Sequence, residues 1–339
     1  MSPAFAPLRI GILGTANIAR AFAAGVRGST QVEVVAVASR ERSKAQQFAG
    51  ELGIAARAAS YEELLAAPDV EAVYVPLPNS LHAPWSIRAA AAGKHVLCEK
   101  PLALTAADAR AMFAAAREHG VKLVEAYPYL SQPHALKLRE LLAARAIGRL
   151  VLIHASFGFT IGAAANIRLQ RELGGGSLWD AGCYPVSLVR VIAGARPVRA
   201  RASALLRSPG VDQTVAATLE FADGLLAQVS CSFGTAVHRH ALIAGESGVI
   251  QTGYSNHPAS AEAAELKLLR GTGWDAREEA VPVPVANGFR AEAESFAQLV
   301  RDGPEHWNGA SQDESIDTLL ALEAIRRSAE LGQAVAVGD

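Results

Sequence analysis

The sequence predicts a two-domain α/β protein: a doubly wound parallel sheet, followed by a second α/β domain with a mostly antiparallel sheet. Three observations carry this reading. The chain has 339 residues, about twice the usual length of one domain. Its first 127 residues alternate apolar, β-branched runs with Ala-rich stretches of helical spacing. Beyond Tyr129 strand-like runs follow one another with turns between them.

In the first part the strand candidates are "LRIGIL", "VEVVAVAS", "VEAVYVPL", "KHVLCEK" and "VKLVEAY". They are apolar almost throughout, as strands of a parallel sheet covered on both faces must be. Ser60 with Glu63, and Thr105 with Asp108, have capping-box spacing. Gly93 and Gly120 stand where helices should stop before the next strand. Such alternation implies right-handed crossovers and a doubly wound sheet. The second part opens with a helical segment, "HALKLRELLAAR", and a strand, "LVLIHASFGF". A Gly-rich loop and helix follow, "GGGSLWDAGCYPVSLVRVIAG", then strands "VRARASALL", "TVAATLEFA", "LLAQVSCSFG", "HRHALIAGESGVIQT" and "AELKLLR". Turns such as Ala222-Asp223-Gly224 favour antiparallel pairing, and two helical segments close the chain. We place a dinucleotide-binding domain at 1–127 and a substrate-binding and oligomerisation domain at 128–339.

Composition narrows the function. Lys plus Arg number 32 against 33 Asp plus Glu, so no basic field recruits nucleic acid or an anionic membrane. Cys98, Cys183 and Cys231 lie far apart without a C-x-x-C pair, which suggests buried thiols in a reducing cytoplasm. No apolar run approaches the roughly 20 residues of a membrane span. His238 and His240 alternate on a strand, but no nearby Cys, Asp or Glu completes a ligand set, so no metal is expected. A small-molecule ligand fits best.

Residues 10–20, "IGILGTANIAR", follow the first strand and open the first helix, the context of a dinucleotide fingerprint. Gly14 takes the first glycine position, Ala16 the second and Ala19 the third. Ala16 departs from the pattern, yet the amides around Thr15, Ala16, Asn17 and Ile18 at a helix N-terminus suit phosphate; the alternative is a plain strand-to-helix turn. The second strand ends in "ASRERSKA", where an NAD site carries an acid for the ribose 2′-OH. Ser39, Arg40 and Lys44 would instead bind a 2′-phosphate, which favours NADP, with NAD possible. Solvated helix charge is the competing account of Lys44.

The stretch "VPLPNSLHAPWSIRAAAAGKHVLCEKPLAL" and the phosphate loop resemble the Gfo/Idh/MocA oxidoreductases over nearly the whole chain. The resemblance implies a Rossmann domain, then an α/β domain with a large open sheet that serves as a subunit interface, giving a homodimer or homotetramer. It implies hydride transfer between nicotinamide and a sugar or polyol, with Pro78, Asn79 and His82 bordering the nicotinamide. "GGGSLWDAGCYPVS", with Asp180 and Tyr184 four apart, resembles the second family region. Tyr184, "GTANIA", "HASFGF" and "NIRLQRELGGG" are similar to the subgroup of glucose–fructose oxidoreductase, NADP-dependent D-xylose dehydrogenase and dimeric dihydrodiol dehydrogenase. Arg168 is then a substrate or cofactor contact, or the partner of a carboxylate. One segment departs: after "VEA" the subgroup runs through an aromatic stretch with an Arg before His-Pro, whereas here Leu130 and Ser131 precede Gln132-Pro133-His134. That bears on substrate preference.

Oxidising a carbinol requires a proton to leave its oxygen, so the site needs a general acid–base. Tyr184 is the first choice, its phenolate favoured by the ammonium of Lys100. Lys100 as proton carrier, with Tyr184 binding substrate, is the alternative. Asp180 would orient the substrate hydroxyl or Lys100, and Arg168, Asp180, Tyr184 and Lys100 would bind substrate. Strand alternation turns Glu99 away from Lys100, so Glu99 is expected to support the cofactor site by accepting hydrogen bonds. Pro101 ends the strand, and its preceding peptide can be cis. The expected activity is an aldose (D-xylose) 1-dehydrogenase; the alternatives are a trans-dihydrodiol dehydrogenase or carbonyl reductase, and a catalytically silent NADP-binding regulator.

Overall fold

The structure is a computed structural model and describes residues 6–54, 58–162, 166–207, 210–256 and 266–338. Its contacts divide the chain into two units.

The first unit holds β1 (Leu8–Leu13), α1 (Asn17–Val26), β2 (Val32–Ala38), α2 (Arg42–Leu52), β3 (Ala58–Ala59), α3 (Tyr61–Ala66), β4 (Ala72–Val75), α4 (His82–Ala91), β5 (His95–Glu99), α5 (Ala106–Glu118, less its first residue) and β6 (Leu123–Ala126). The six strands pair in the order β3-β2-β1-β4-β5-β6, all parallel. Sequence order reverses between β1 and β4, which makes the carboxyl ends of those strands the switch point where such sheets bind ligands. Ser60 and Glu63 form the expected capping box at α3. Gly93 and Gly120 follow α4 and α5 with φ of 73° and 66°, the left-handed conformation that ends a helix.

Contacts also group Ala286–Gln312 with this unit, which a division at residue 127 does not anticipate. Phe289, Ala293 and Phe296 of α8 (Gly288–Arg301) join Ile12, Phe22 and Tyr74 in one core. Gly25 permits this approach, since a Cβ there would lie 2.9 Å from the Cβ of Phe289. Asn287 caps α8 by accepting hydrogen bonds from the amides of Phe289 and Arg290.

The second unit holds α6 (Pro133–Ala143), β7 (Leu150–Thr160), α7 (Cys183–Ala193), β8 (Arg199–Arg207), β9 (Val211–Glu220), β10 (Leu226–Ser232), β11 (Gly234–Gly245), β12 (Gly248–Gly253), β13 (Leu266–Arg270), β14 (Arg277–Val281), α9 (Gln312–Leu331, less its first residue) and β15 (Val335–Ala336). Its nine strands run β14-β13-β12-β11-β7-β10-β9-β8-β15. Among the described residues only the β7–β10 pair is parallel. The run 238–252, expected as one strand, is a hairpin: β11 turns into β12 between Gly245 and Gly248. Along β7, Ile153, Ala155 and Phe157 are buried while His154 and Ser156 are half-buried on the other face. Arg190 on α7 pairs with Asp317 on α9 at 2.9 Å.

Candidate active site

The phosphate loop is built around Gly14, whose φ of 115° suits glycine alone. Its amide donates to the carbonyl of Ala38 at 2.8 Å, joining the ends of β1 and β2. Ala16 is the N-cap of α1, with φ −67° and ψ 160° and no side-chain cap. Any L-residue adopts that backbone, so Ala16 replaces the second glycine without strain. The helix therefore offers its first amides, at Asn17 and Ile18, to an outside acceptor. Thr15 is half-buried beside them. Tyr61 was not read from the sequence as part of this site. Its hydroxyl lies 3.9 Å from where a Gly14 Cβ would stand; burial raises its pKa and the charge of Arg40 opposes that rise.

At the end of β2, Ser39 is buried and its Oγ accepts from the Glu41 amide at 3.4 Å. Lys44 is drawn to Glu41 at 2.6 Å and Arg42 to Glu63 at 3.9 Å. Arg40 is exposed and, among the described residues, makes no ion pair. It is the cation of the group best able to turn to a 2′-phosphate. These features fit a dinucleotide.

Pro78 and Asn79 are half-buried in the loop after β4. His82 is 1% exposed, with Nδ1 2.8 Å from the carbonyl of Pro101 and Nε2 2.8 Å from that of Leu77. Both ring nitrogens thus face backbone, and His82 ties two loops together instead of offering a nitrogen to a ligand. Burial lowers its pKa to about 4; the two carbonyls pull upward and Lys100 pushes down further. The Lys100–Pro101 peptide is cis. Lys100 is half-buried, just beyond β5. Glu99 is 5% exposed and accepts from the Tyr74 hydroxyl at 2.5 Å. The expected support of the cofactor site by Glu99 is thus replaced, in the bond seen here, by a side chain of the neighbouring strand β4.

In the second unit, glycines set the geometry. A Cβ on Gly175 would lie 2.6 Å from the Arg168 carbonyl, and one on Gly176 2.3 Å from Asp212 Oδ1. The amides of Gly175 and Gly176 donate to the carbonyls of Gln170 and Arg168 at 3.0 and 2.9 Å. Asp212, missed in the sequence, accepts from Ser177 Oγ at 2.7 Å and the Leu178 amide at 2.6 Å. A π-turn then spans Leu178–Gly182 before α7 begins, so Asp180 and Tyr184 are not on one regular helix. Arg168 Nε donates to Asp180 Oδ2 at 2.6 Å. The Arg168 side chain keeps 42% of its surface exposed while that of Asp180 keeps 12%.

Tyr184 is 3% exposed, edge-on to Phe157 at 5.4 Å between ring centroids. Asn256 Nδ2 donates to its hydroxyl oxygen at 2.9 Å. The Arg239 guanidinium lies 4.3 Å from the centroid of the Tyr184 ring and 3.8 Å from that of Phe157. A donor on the oxygen and a cation over the ring both stabilise charge developing on the phenol. His238 instead bonds Ser156 Oγ through Nε2 at 2.8 Å, with its ring centroid 5.7 Å from that of His240. Cys98, Cys183 and Cys231 are buried free thiols, and burial pushes those of Cys98 and Cys231 well up.

Comparison with known proteins agrees with this layout. Residues 8–127 match the oxidoreductase family with an NAD-binding Rossmann fold. Residues 135–251 match the GFO/IDH/MocA C-terminal domain. D-xylose 1-dehydrogenase (NADP(+)) 2 of Haloferax volcanii is 36% identical over 97% of this chain and 99% of its own. Trans-1,2-dihydrobenzene-1,2-diol dehydrogenase of Danio rerio is 33% identical over 94% and 96%. Among solved structures, a 3-ketoreductase from Actinomadura kijaniata in complex with NADP and TDP-benzene superposes with a TM-score of 0.85 at 30% identity, covering 95% of this chain and 98% of that one. An aldose-aldose oxidoreductase from Caulobacter crescentus, complexed with glycerol, gives 0.87 at 30% identity, covering 97% and 99%. The chain belongs to the GFO/IDH/MocA family of oxidoreductases.

Proposed function

We propose that the protein is an NADP-dependent dehydrogenase that oxidises a sugar or polyol carbinol, an aldose of the D-xylose kind at its anomeric carbon. The observation that carries this reading is Tyr184, a buried phenol whose oxygen is held by Asn256 beneath Arg239. That is how a proton carrier is prepared. A nicotinamide bound there would supply the hydride acceptor for the carbinol carbon. The hydroxyl proton passes to the Tyr184 phenolate, which becomes the neutral phenol, as the carbon–oxygen double bond of the lactone forms. Lys100 stabilises negative charge on the substrate oxygen, and Asp180 with Arg168 orients the neighbouring hydroxyls. The 3-ketoreductase has also been crystallised with a lysine or a tyrosine replaced. Those two residues are separated in sequence as Lys100 and Tyr184 are.

Arg40, Ser39 and the amides of Thr15 to Ile18 hold the dinucleotide, with Pro78 and Asn79 at its nicotinamide end. The absence of an acid at positions 39 and 40 supports NADP over NAD. The small polar side chains on the sheet face bearing Ser156 and Ser230 support its use as a contact between copies of the chain.

Likeness to the dihydrodiol dehydrogenase supports a second reading, oxidation of a trans-dihydrodiol. The test is a screen of aldoses, polyols and trans-dihydrodiols with NADP, following absorbance of the reduced cofactor. Turnover fastest on an aldose, with the lactone as product, is expected. Turnover confined to the dihydrodiol would select the second reading, and tight NADP binding with no turnover would overturn both.

A further inference from the structure

Three carboxyl side chains that the proposed reaction does not use are buried in the first unit within electrostatic reach of one another. Glu99 ends β5, Glu125 belongs to β6 and Glu292 belongs to α8. They are 5%, 1% and 0% exposed. Tyr74 donates to Glu99, and the Leu102 amide donates to Glu125 at 2.8 Å. Neither oxygen of Glu292 makes a hydrogen bond of good geometry.

The groups acting on Glu292 all disfavour a negative charge except one. Burial is the largest influence, followed by the Glu99 charge; the Tyr127 amide opposes them, and Glu125 adds repulsion. Together they raise its pKa well above the carboxyl value. No cation is among these influences. On α8 itself, Arg290 bonds the carbonyls of Gly25 and Arg27, and Glu294 accepts from Ser29. From α1, Arg20 turns to Glu51. Glu33 of β2 is exposed, as are Glu305 and His306 in the turn Pro304–His306. The short 3-10 turn Pro128–Ser131 packs on α8 and contributes Tyr129. Burial and the neighbouring carboxylate charges disfavour an ionised third carboxylate here and leave the neutral acid the favoured form.

We propose that Glu292 is a positioning residue carried as the neutral acid. By keeping its proton it allows α8 to pack on the Pro128–Ser131 turn that follows β6, beside the Glu99 charge at the end of β5, and so steadies the backbone from which Lys100 emerges. This rests on the assignment of Lys100 to the reaction, although the protonation of Glu292 is testable without it. The folded state keeps a proton that the unfolded chain gives up once pH exceeds the ordinary carboxyl value of 4.5. Stability contributed by the acid is therefore lost as pH rises from there towards the raised folded value.

The experiment compares the parent, Glu292→Gln and Glu292→Ala. Infrared spectra should show a protonated-carboxyl band in the parent near neutral pH that both variants lack. The Tm of Glu292→Gln relative to the parent should rise between pH 5 and pH 8 by about 3 °C or more. Glu292→Gln should also recover most of the kcat that Glu292→Ala loses. An absent band, or a Gln variant as unstable as Ala by the same margin at every pH, would overturn the proposal. The parent's infrared band decides the protonation state even if neither variant folds. Unchanged turnover in Lys100→Met, with the band present, would remove the positioning role and leave the neutral acid standing.

Discussion

Asn256 bridges Arg239 and Tyr184: its Nδ2 donates to the phenolic oxygen at 2.9 Å and its Oδ1 accepts from Arg239 Nη1 at 3.3 Å. The bridge fixes the direction from which the Tyr184 oxygen is approached. It also keeps the guanidinium over the ring. Asn256→Ala should therefore lower kcat on the best substrate by on the order of 10-fold to 100-fold while NADP affinity stays within about 2-fold. Steady-state kinetics with cofactor fluorescence titration would measure both. Loss of NADP affinity with kcat intact would contradict the assignment.

Tyr184→Phe removes the proposed proton carrier while keeping the ring beside Phe157 and Arg239. We expect kcat to fall by on the order of 10²- to 10⁴-fold, with an unchanged thermal midpoint. A variant that loses stability but keeps its rate per folded molecule would assign Tyr184 to packing.

Cofactor choice is proposed to be set at the end of β2. Ser39→Asp combined with Arg40→Gln places an acid where the 2′-phosphate is proposed to lie and removes the unpaired guanidinium. KM for NADP should rise at least about 10-fold more than KM for NAD. Equal losses for the two cofactors would show that these residues do not read the 2′-position.

His82 predicts an acid-side loss of stability. Its folded pKa of about 4 lies below its ordinary 6.5, so the unfolded chain takes up the proton first as pH falls. The stability is complete above about pH 6.5 and declines as pH falls towards 4, by about 3 kcal/mol over the whole range. His134, buried and also lowered to about 4, adds a decline of the same sign. Urea unfolding of His82→Gln from pH 7 to 4 should show a shallower decline than the parent. A parent midpoint that holds or rises on acidification would mean that the carbonyls of Leu77 and Pro101 keep His82 as the imidazolium.

Much of the first unit is legible in the sequence because parallel strands are buried on both faces. Ile10, Val37, Tyr74 and Leu97 announce themselves as apolar runs. The place of α8 is not legible: its pattern says that one face is buried, not that Phe289 and Phe296 join Ile12 and Tyr74 of a sheet completed far earlier in the chain. In the second unit, the spacing of Asp180 and Tyr184 suggests one helical face, but an inserted π-turn and the Arg168 partner change that geometry. Arg239 and Asn256 lie more than fifty residues beyond Tyr184. Their only local signal is the alternation that puts Arg239 opposite His238 and His240, and it points to a face without naming the phenol behind it. Conversely, the motif that marks His82 says nothing of the two carbonyls that occupy its ring.

The most direct test is the single-turnover rate of NADP reduction by Lys100→Met on the best aldose, measured beside the parent. If Lys100 stabilises the substrate oxygen, the rate falls by on the order of 10²- to 10⁴-fold while NADP still binds and the thermal midpoint is retained. A rate within about 2-fold of the parent would contradict the account.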